Sequence, residues 1–202
     1  MTKIKFFFIS AITCLFICSS CSRQSHLGVN AYLDYFNSPD SPFFKEKEFN
    51  KVIYKLKMQP AEYLVLKDNK TIDAKKFAEE VKKNSGNLSF VLIIEDNPQS
   101  KAVKQVVYKS ELFDKLINYS NMQMNQDIKL VSKADTIPCS LVYIEPANSI
   151  QPVIRVAISF ENVAREKTSE YTLVFNDYLF NNGILKFNYP SGTFADLPQL
   201  QF

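Results

Sequence analysis

The chain has 202 residues, enough for one domain or for one domain with a short extension. Hydrophobic residues make up 46% and charged residues 22%, a balance that argues against bulk disorder. The formal charge is +3, but Lys3 and Lys5 supply two of the positive charges, and the remaining 22 basic and 21 acidic residues lack the basic footprint of a nucleic-acid-binding protein.

The first 21 residues have the three-part layout of a secretory signal peptide. Lys3 and Lys5 form a basic start, residues 6–17 form an apolar run, and Ser19 and Ser20 precede Cys21. The apolar run is well short of the ~20 residues that a membrane-spanning helix needs. The sequence therefore predicts an exported protein.

The end of this segment, from Cys18 to Cys21, resembles the signal peptides of bacterial lipoproteins, in which a small residue directly precedes the lipidated cysteine. The resemblance covers about a tenth of the chain and implies cleavage after Ser20 and acylation, for example with palmitate, at Cys21. It places the protein in the cell envelope, and Ser22 favours the outer membrane, facing the periplasm, over the inner membrane or the cell surface. A plain secreted protein and an uncleaved anchor are the alternatives.

These assignments divide the chain into a cleaved signal peptide (1–20), a lipidated cysteine with a flexible tether (21–30) and a single α+β domain (31–202). Cys14 and Cys18 leave with the signal peptide, and lipid blocks Cys21. Only Cys139 then remains, so the mature protein is predicted to have no intramolecular disulfide. A lone cysteine of this kind is most often a small buried apolar residue.

The first half of the domain reads as a mixture of strands and helices. Alternating residues predict a half-buried strand over 51–58, with its lysines facing solvent, and a continuous apolar run predicts a central strand over 88–96. A helix is expected after Asp73 as N-cap, ending before Gly86. A second helix is expected over 110–119, with Ser110 as the cap.

The second half is rich in β-branched and aromatic runs separated by turn residues. Five strands are predicted, within residues 127–132, 139–145, 152–161, 171–177 and 184–190. Connections of about seven residues are too short for parallel crossovers, so neighbouring strands should be antiparallel. The fold class predicted is α+β, with a mixed N-terminal half that contains two helices and a C-terminal antiparallel meander.

Most catalytic systems lack the residues they require. The one histidine, His26, falls in the tether, so a Ser-His-Asp or Cys-His nucleophile has no base and a His-rich metal site has no ligands. None of the four glycines fits a phosphate-binding loop pattern. No cofactor, metal or catalytic residue is expected.

Carboxylates at strand ends are the remaining candidates for chemistry: Glu95, Asp96, Glu145 and Glu161. A pair across a cleft would serve glycoside hydrolysis, and a cluster would bind Ca²⁺. However, antiparallel strands over 141–145 and 153–160 would put Glu145 and Glu161 at opposite ends of the sheet. Acids are also common wherever a chain reaches the surface, which is the interpretation we prefer.

Two further surface features suggest a function but also have a purely structural explanation. Thr136 lies in Asp135-Thr136-Ile137, which resembles a three-residue O-glycosylation motif of some bacteria, and it also suits a turn between strands. The lysines of the first predicted helix suggest a basic surface, but Glu79 and Glu80 interleave with them, which favours a solvated face.

The leading functional hypothesis is a non-enzymatic lipoprotein that is anchored in the bilayer through Cys21 and binds another envelope protein through its β-rich half. The second is binding of a small ligand or carbohydrate by converging tyrosines, with Tyr143, Tyr171, Tyr178 and Tyr189 as candidates. The third is a carboxylate-dependent hydrolase, which requires two of the acids within about 5–10 Å of each other.

Overall fold

Helices and strands are mixed through the first half of the chain. The computed structural model describes residues 26–69, 73–133, 135–145, 152–163 and 169–202. The elements of this half are β1 (His26–Gly28), α1 (Val29–Asn37), β2 (Phe44–Phe49), β3 (Val52–Gln59), α2 (Ala61–Asp68), α3 (Ala74–Lys83), β4 (Leu88–Asp96), α4 (Ala102–Tyr108), α5 (Ser110–Met122) and α6 (Met124–Asp127). The predicted signal peptide and Cys21 lie outside the described residues.

The second half consists mainly of strands, and the predicted α+β class is confirmed. Its elements are β5 (Ile128–Val131), β6 (Thr136–Pro138), β7 (Leu141–Ile144), β8 (Ile154–Phe160), β9 (Tyr171–Asp177), β10 (Gly183–Tyr189), a 3-10 helix (Thr193–Asp196) and β11 (Gln199–Gln201). All five β-rich runs contain a strand. No helix within the described ranges is long and apolar enough to cross a membrane.

Two antiparallel sheets contain most of the strands. The larger sheet has the order β2-β3-β4-β8-β7 and the smaller one has the order β10-β9-β5-β6, while β1 and β11 form a separate parallel pair. The C-terminal strands are antiparallel, as the short connections predict, and they are divided between the two sheets. The chain passes from the smaller sheet to the larger through Cys139 and Ser140.

The core fills the space between the two sheets. Leu56 on β3 and Phe90 on β4 are fully buried, and the ring centroids of Phe90 and Tyr189 on β10 are 5.7 Å apart, which brings the inner faces together. Strand β4 is central, as its continuous apolar run predicts. Its outer-face residues Val91 and Ile93 are also buried.

An aromatic cluster packs the first two helices against the end of β3. The ring of Phe36 on α1 lies 5.0 Å from that of Phe43 and 5.8 Å from that of Tyr63 on α2. Strand β1 and the start of α1 lie within residues 26–30, which the sequence assigns to the tether, so this part of the predicted tether belongs to the fold. The backbone pairing of β1 with β11 and the apolar face of α1 account for the difference.

Both predicted helices are present, with one difference at a terminus. The Asp73 carboxylate accepts a hydrogen bond from the Lys76 amide at 3.0 Å, which confirms the predicted cap of α3. Ser110, in contrast, is the first helical residue of α5, and the cap position belongs to Lys109. The cap prediction at Ser110 is wrong because α4 ends immediately before Lys109 and α5 starts directly after it.

A buried polar contact joins the two sheets near their ends. The Tyr54 hydroxyl on β3 donates to the Asp177 carboxylate on β9 at 2.5 Å and accepts from the Asn182 side chain at 2.6 Å. Asn50, in the β2–β3 turn, donates to Asn182 at 2.7 Å. Asp177 also accepts from the amides of the turn that follows it, so its charge is held by several donors.

Candidate functional site

A cleft of about 600 Å³ lies between helix α5 and strand β7. Helix α5 is fixed by Leu116, which is fully buried in the core, while its neighbours Phe113 and Ile117 border the cleft. The lining combines apolar side chains with a polar rim and consists of Val107, Phe113, Ile117, Ser120, Asn121, Tyr143, Ile144 and Glu145.

Strand β7 is an open edge beside this cleft. It pairs only with β8 within the described part of the chain, and the Glu145 amide donates to the Arg155 carbonyl at 2.9 Å. Hydrogen-bonded and non-hydrogen-bonded pairs alternate in an antiparallel ladder. The backbone N–H and C=O groups of Val142 and Ile144 therefore point away from β8, and no other strand among the described residues pairs with them.

Apolar side chains are exposed along the same strand. Leu141 is 56% exposed and Tyr143 is 54% exposed, and both project from the outer face of the larger sheet. Tyr143 also lines the cleft, together with Phe113 and Ile117 on α5. An open strand edge next to exposed apolar side chains is the combination that docking segments use in strand addition.

The outer face of the larger sheet carries charges of both signs. Lys55, Lys57 and Arg155 lie on this face around buried Val91 and Ile93. Burial, and then the nearby charges of Arg155 and Lys55, lower the pKa of Lys57. The charges of Lys57 and Arg155 have no carboxylate within 4 Å among the described residues.

Two of the sequence-predicted acids have structural partners. Glu95, on the outer face of β4, forms an ion pair with Lys55. Asp96 holds the start of α4, because its carboxylate accepts from the Ser100 hydroxyl at 2.7 Å and from the amides of Val103 and Lys104 at 3.0 and 2.9 Å. These contacts account for both acids without catalysis.

The other two acids are far apart. Strands β7 and β8 are antiparallel, as the predicted separation of these acids requires. Glu145 lies opposite Arg155, and Glu161 is six residues further along the chain, a distance of about 20 Å along the strand. Glu145 borders the cleft, but strand spacings put its Cα about 12 Å from that of Glu95. The structure brings no two of the four acids together across the cleft.

The four candidate tyrosines do not converge. Tyr171 and Tyr189 are neighbours in register on β9 and β10, and both are buried in the core. Tyr178 is exposed in the turn that follows β9. Tyr143 alone among the four lines the cleft, so a ligand there would contact one tyrosine and the ring of Phe113.

Cys139 and Thr136 lie close to the crossing between the sheets. Burial raises the pKa of the Cys139 thiol to about 11, and its S–H group faces the Leu141 carbonyl at 3.2 Å. Such a thiol is a poor nucleophile, in agreement with the apolar role predicted from the sequence. Thr136, at the start of β6, is exposed and accessible to modification, which stays a prediction.

Among the residues that the structure describes, no group of three or more His, Cys, Asp or Glu side chains could hold a metal ion. The sequence predicted both sides of the cleft as separate elements but not their contact, because the packing of α5 beside β7 is tertiary. The alternation of side chains along β7, which exposes Leu141 and Tyr143, is the sequence feature that could have indicated this surface.

Comparisons with known proteins leave the function open. No family model matches the chain, and no curated protein matches it. The chain is similar to the crystal structure of a DUF4426 family protein from Pseudomonas aeruginosa, with 7% identity, a TM-score of 0.35 and coverage of 72% of this chain and 90% of that chain. A likeness at this level supports no conclusion about shared fold, ligand or activity.

Proposed function

We propose that this protein is a lipid-anchored component of the cell envelope, facing the periplasm from the outer membrane, whose domain binds an extended segment of another protein at strand β7. The anchor is supported by the basic start, the apolar run and the small residues before Cys21. Two or three acyl chains on Cys21 hold a protein on a bilayer, because each buried methylene contributes ~0.8 kcal/mol.

The open edge of β7 is the observation that carries the binding proposal. An added strand would hydrogen-bond to the outward-facing backbone groups of Val142 and Ile144, which gives affinity without a particular sequence. One row of its side chains would enter the cleft, which Tyr143 and Phe113 line together. Among the described residues Glu145 is the one acid that lines the cleft, which favours binding over hydrolysis by a carboxylate pair.

The anchor is tested with the Cys21→Ala variant in the native envelope. The wild-type protein is expected to fractionate with membranes and to carry acyl mass, whereas Cys21→Ala should lack that mass. Cys18→Ala is the matched control and should keep it. The lipid anchor would be refuted if Cys21→Ala fractionated with membranes as the wild type does and carried the same mass in excess of its amino-acid sequence.

The docking site is tested by photo-crosslinking in the native envelope. A benzoyl-phenylalanine at Tyr143 is expected to crosslink a specific protein, whereas the same group at Tyr178, an equally exposed tyrosine away from the cleft, should not. Val142→Pro should abolish the crosslink, because proline removes an outward-facing N–H without breaking the ladder to β8. A crosslink that survives Val142→Pro, or equal crosslinking from Tyr178, would exclude strand addition.

Binding of a small ligand or carbohydrate is the second candidate, supported by the size of the cleft. Its volume of about 600 Å³ lies within the ~300–1,000 Å³ typical of small-ligand sites. The two candidates respond differently to the same variants. Tyr143→Ala would weaken either one, whereas Val142→Pro should leave the binding of a small ligand, measured by calorimetry with envelope sugars, unchanged.

A further inference from the structure

Helix α3 is amphipathic, yet none of its residues is fully buried. Phe77 and Val81 are half-buried, and the remaining apolar positions are exposed. Lys75, Ala78 and Lys82 follow each other at spacings of three and four residues, so they lie along one side of the helix, where Glu79 separates the two lysines. We call these three residues the α3 stripe.

The lysines of the α3 stripe keep their charge unpaired. Lys83 is paired with Glu80 at 2.6 Å, but neither Lys75 nor Lys82 has a carboxylate within 4 Å in the described part of the chain. The helix as a whole contains four lysines and two glutamates, which leaves it positive. This face would therefore be attracted to an anionic surface.

Contacts at the other side of α3 place it next to the first described strand. The Phe77 ring packs on the ring of Phe202 with centroids 4.9 Å apart. Phe202 directly follows β11, whose residues pair in register with β1 from His26 onward. Helix α3 is thus attached to the part of the fold where the chain enters from Cys21.

The predicted tether is short compared with the domain. Four residues lie between Cys21 and His26, so the five Cα–Cα steps reach at most about 18 Å when fully extended. A folded chain of this size has a radius of gyration of about 16 Å. With Cys21 held at a bilayer, the surface around β1 is therefore the part of the domain that can reach the headgroups most easily.

We propose that the α3 stripe rests on the anionic phospholipid headgroups of the membrane that carries the anchor. This inference depends on the lipid anchor at Cys21 proposed above. Each lysine near an anionic membrane surface shifts the equilibrium toward the docked orientation about fivefold. The domain would then have a fixed orientation on the membrane.

The experiment uses the full lipidated protein, reconstituted into vesicles and labelled with an environment-sensitive fluorophore. A Cys139→Ser background leaves Cys21 blocked by lipid and allows a single label at Ala78→Cys, on the stripe, or at Gln99→Cys. Gln99 is exposed in the turn beyond β4, and the nine residues of β4 separate it from the end of α3 by about 27 Å. Nitroxide-labelled lipids quench a fluorophore that touches the headgroups.

In vesicles that contain phosphatidylglycerol, the label at Ala78 is expected to be quenched severalfold more than the label at Gln99. The double change Lys75→Glu with Lys82→Glu should remove the difference, while Lys101→Glu with Lys104→Glu, at exposed positions near Gln99, should preserve it. Phosphatidylcholine vesicles and high salt should also reduce the difference.

The outcomes separate this inference from the anchor on which it depends. Protein that stays with the vesicles but shows equal quenching at both positions would overturn the orientation and leave the anchor intact. Quenching at Ala78 that persists with both lysines reversed would also overturn it, because the contact would not be electrostatic. Protein that does not associate with any vesicle would overturn the anchor itself.

Discussion

Removing one hydroxyl group tests the buried polar contact between the two sheets. The Tyr54 hydroxyl links Asp177 to Asn182. It donates a hydrogen bond to the Asp177 carboxylate at 2.5 Å and accepts one from the Asn182 side chain at 2.6 Å. Tyr54 and Asp177 are 0% and 1% exposed, so water cannot replace the lost group without entering the core. Tyr54→Phe therefore leaves Asp177 and Asn182 in place, and each of them loses one hydrogen bond.

The expected cost follows from these partners. A hydrogen bond to a charged group contributes about 1.5–3 kcal/mol, and a buried donor left unsatisfied costs about 1 kcal/mol more. Tyr54→Phe should therefore lower the free energy of unfolding by about 3 kcal/mol. For a domain of this size, that corresponds to a decrease in Tm of about 6–12 °C.

Tyr189 provides a matched control in the same core. It is 0% exposed, like Tyr54, but its hydroxyl has no hydrogen-bond partner among the described residues. Burial without a partner raises the pKa of Tyr189, and burial together with Asp177 raises that of Tyr54. Tyr189→Phe removes a polar atom that is already unsatisfied, so stability should stay the same or increase.

Urea denaturation of both variants, monitored by circular dichroism at neutral pH, measures the difference. The midpoint for Tyr54→Phe should fall clearly below that of the wild type, while the midpoint for Tyr189→Phe should not fall. Two results would show that the Tyr54 hydroxyl does not stabilise the fold through Asp177 and Asn182: an equal loss of stability in both variants, or a stability of Tyr54→Phe within about 0.5 kcal/mol of the wild type.

Three further predictions concern single side chains. Burial raises the pKa of Cys139 from its ordinary 9.0 to about 11, so the stability that the neutral thiol contributes is complete below pH 9 and is lost as the pH rises toward 11. Between pH 9 and pH 11 the wild-type protein should therefore lose up to about 2–3 kcal/mol more stability than Cys139→Ala, as measured by urea titrations. The same thiol should react with iodoacetamide in the native protein far more slowly than in urea, and equal rates would contradict its burial. Asp96→Ala should lower the free energy of unfolding by about 1–2 kcal/mol through loss of the α4 cap, whereas Glu161→Ala, an exposed strand-end acid, should change it by less than about 0.5 kcal/mol.

Local patterns predicted much of the fold. The alternation of Val52, Tyr54, Leu56 and Met58 determines which face of β3 is buried, and Asp73 fixes the start of α3. In both cases the physical cause lies within a few residues: a period of two in a strand and a side chain that reaches its own helix. Where such local causes dominate, sequence and structure agree.

The remaining elements depend on contacts that no local pattern specifies. Helix α1 is short and has no capping side chain, and the rings of Phe43 and Tyr63 stabilise it. Asp177, which the sequence shows only as a strand-end acid, is buried because Tyr54 lies opposite on another sheet, 123 residues away. The cleft likewise requires α5 and β7 to meet, which their separate amphipathic patterns do not encode.

The parallel pairing of β1 with β11 has a mechanical consequence. Any pull on the domain through the proposed anchor would reach β1 first, and only three residue pairs hold this strand. The next element, α1, is fastened by the buried side chains of Tyr32, Leu33 and Phe36 and should resist a larger force. Detaching β1 alone would lengthen the tether by about 10 Å, so the first strand can act as a short extensible link between the membrane and a core that stays folded.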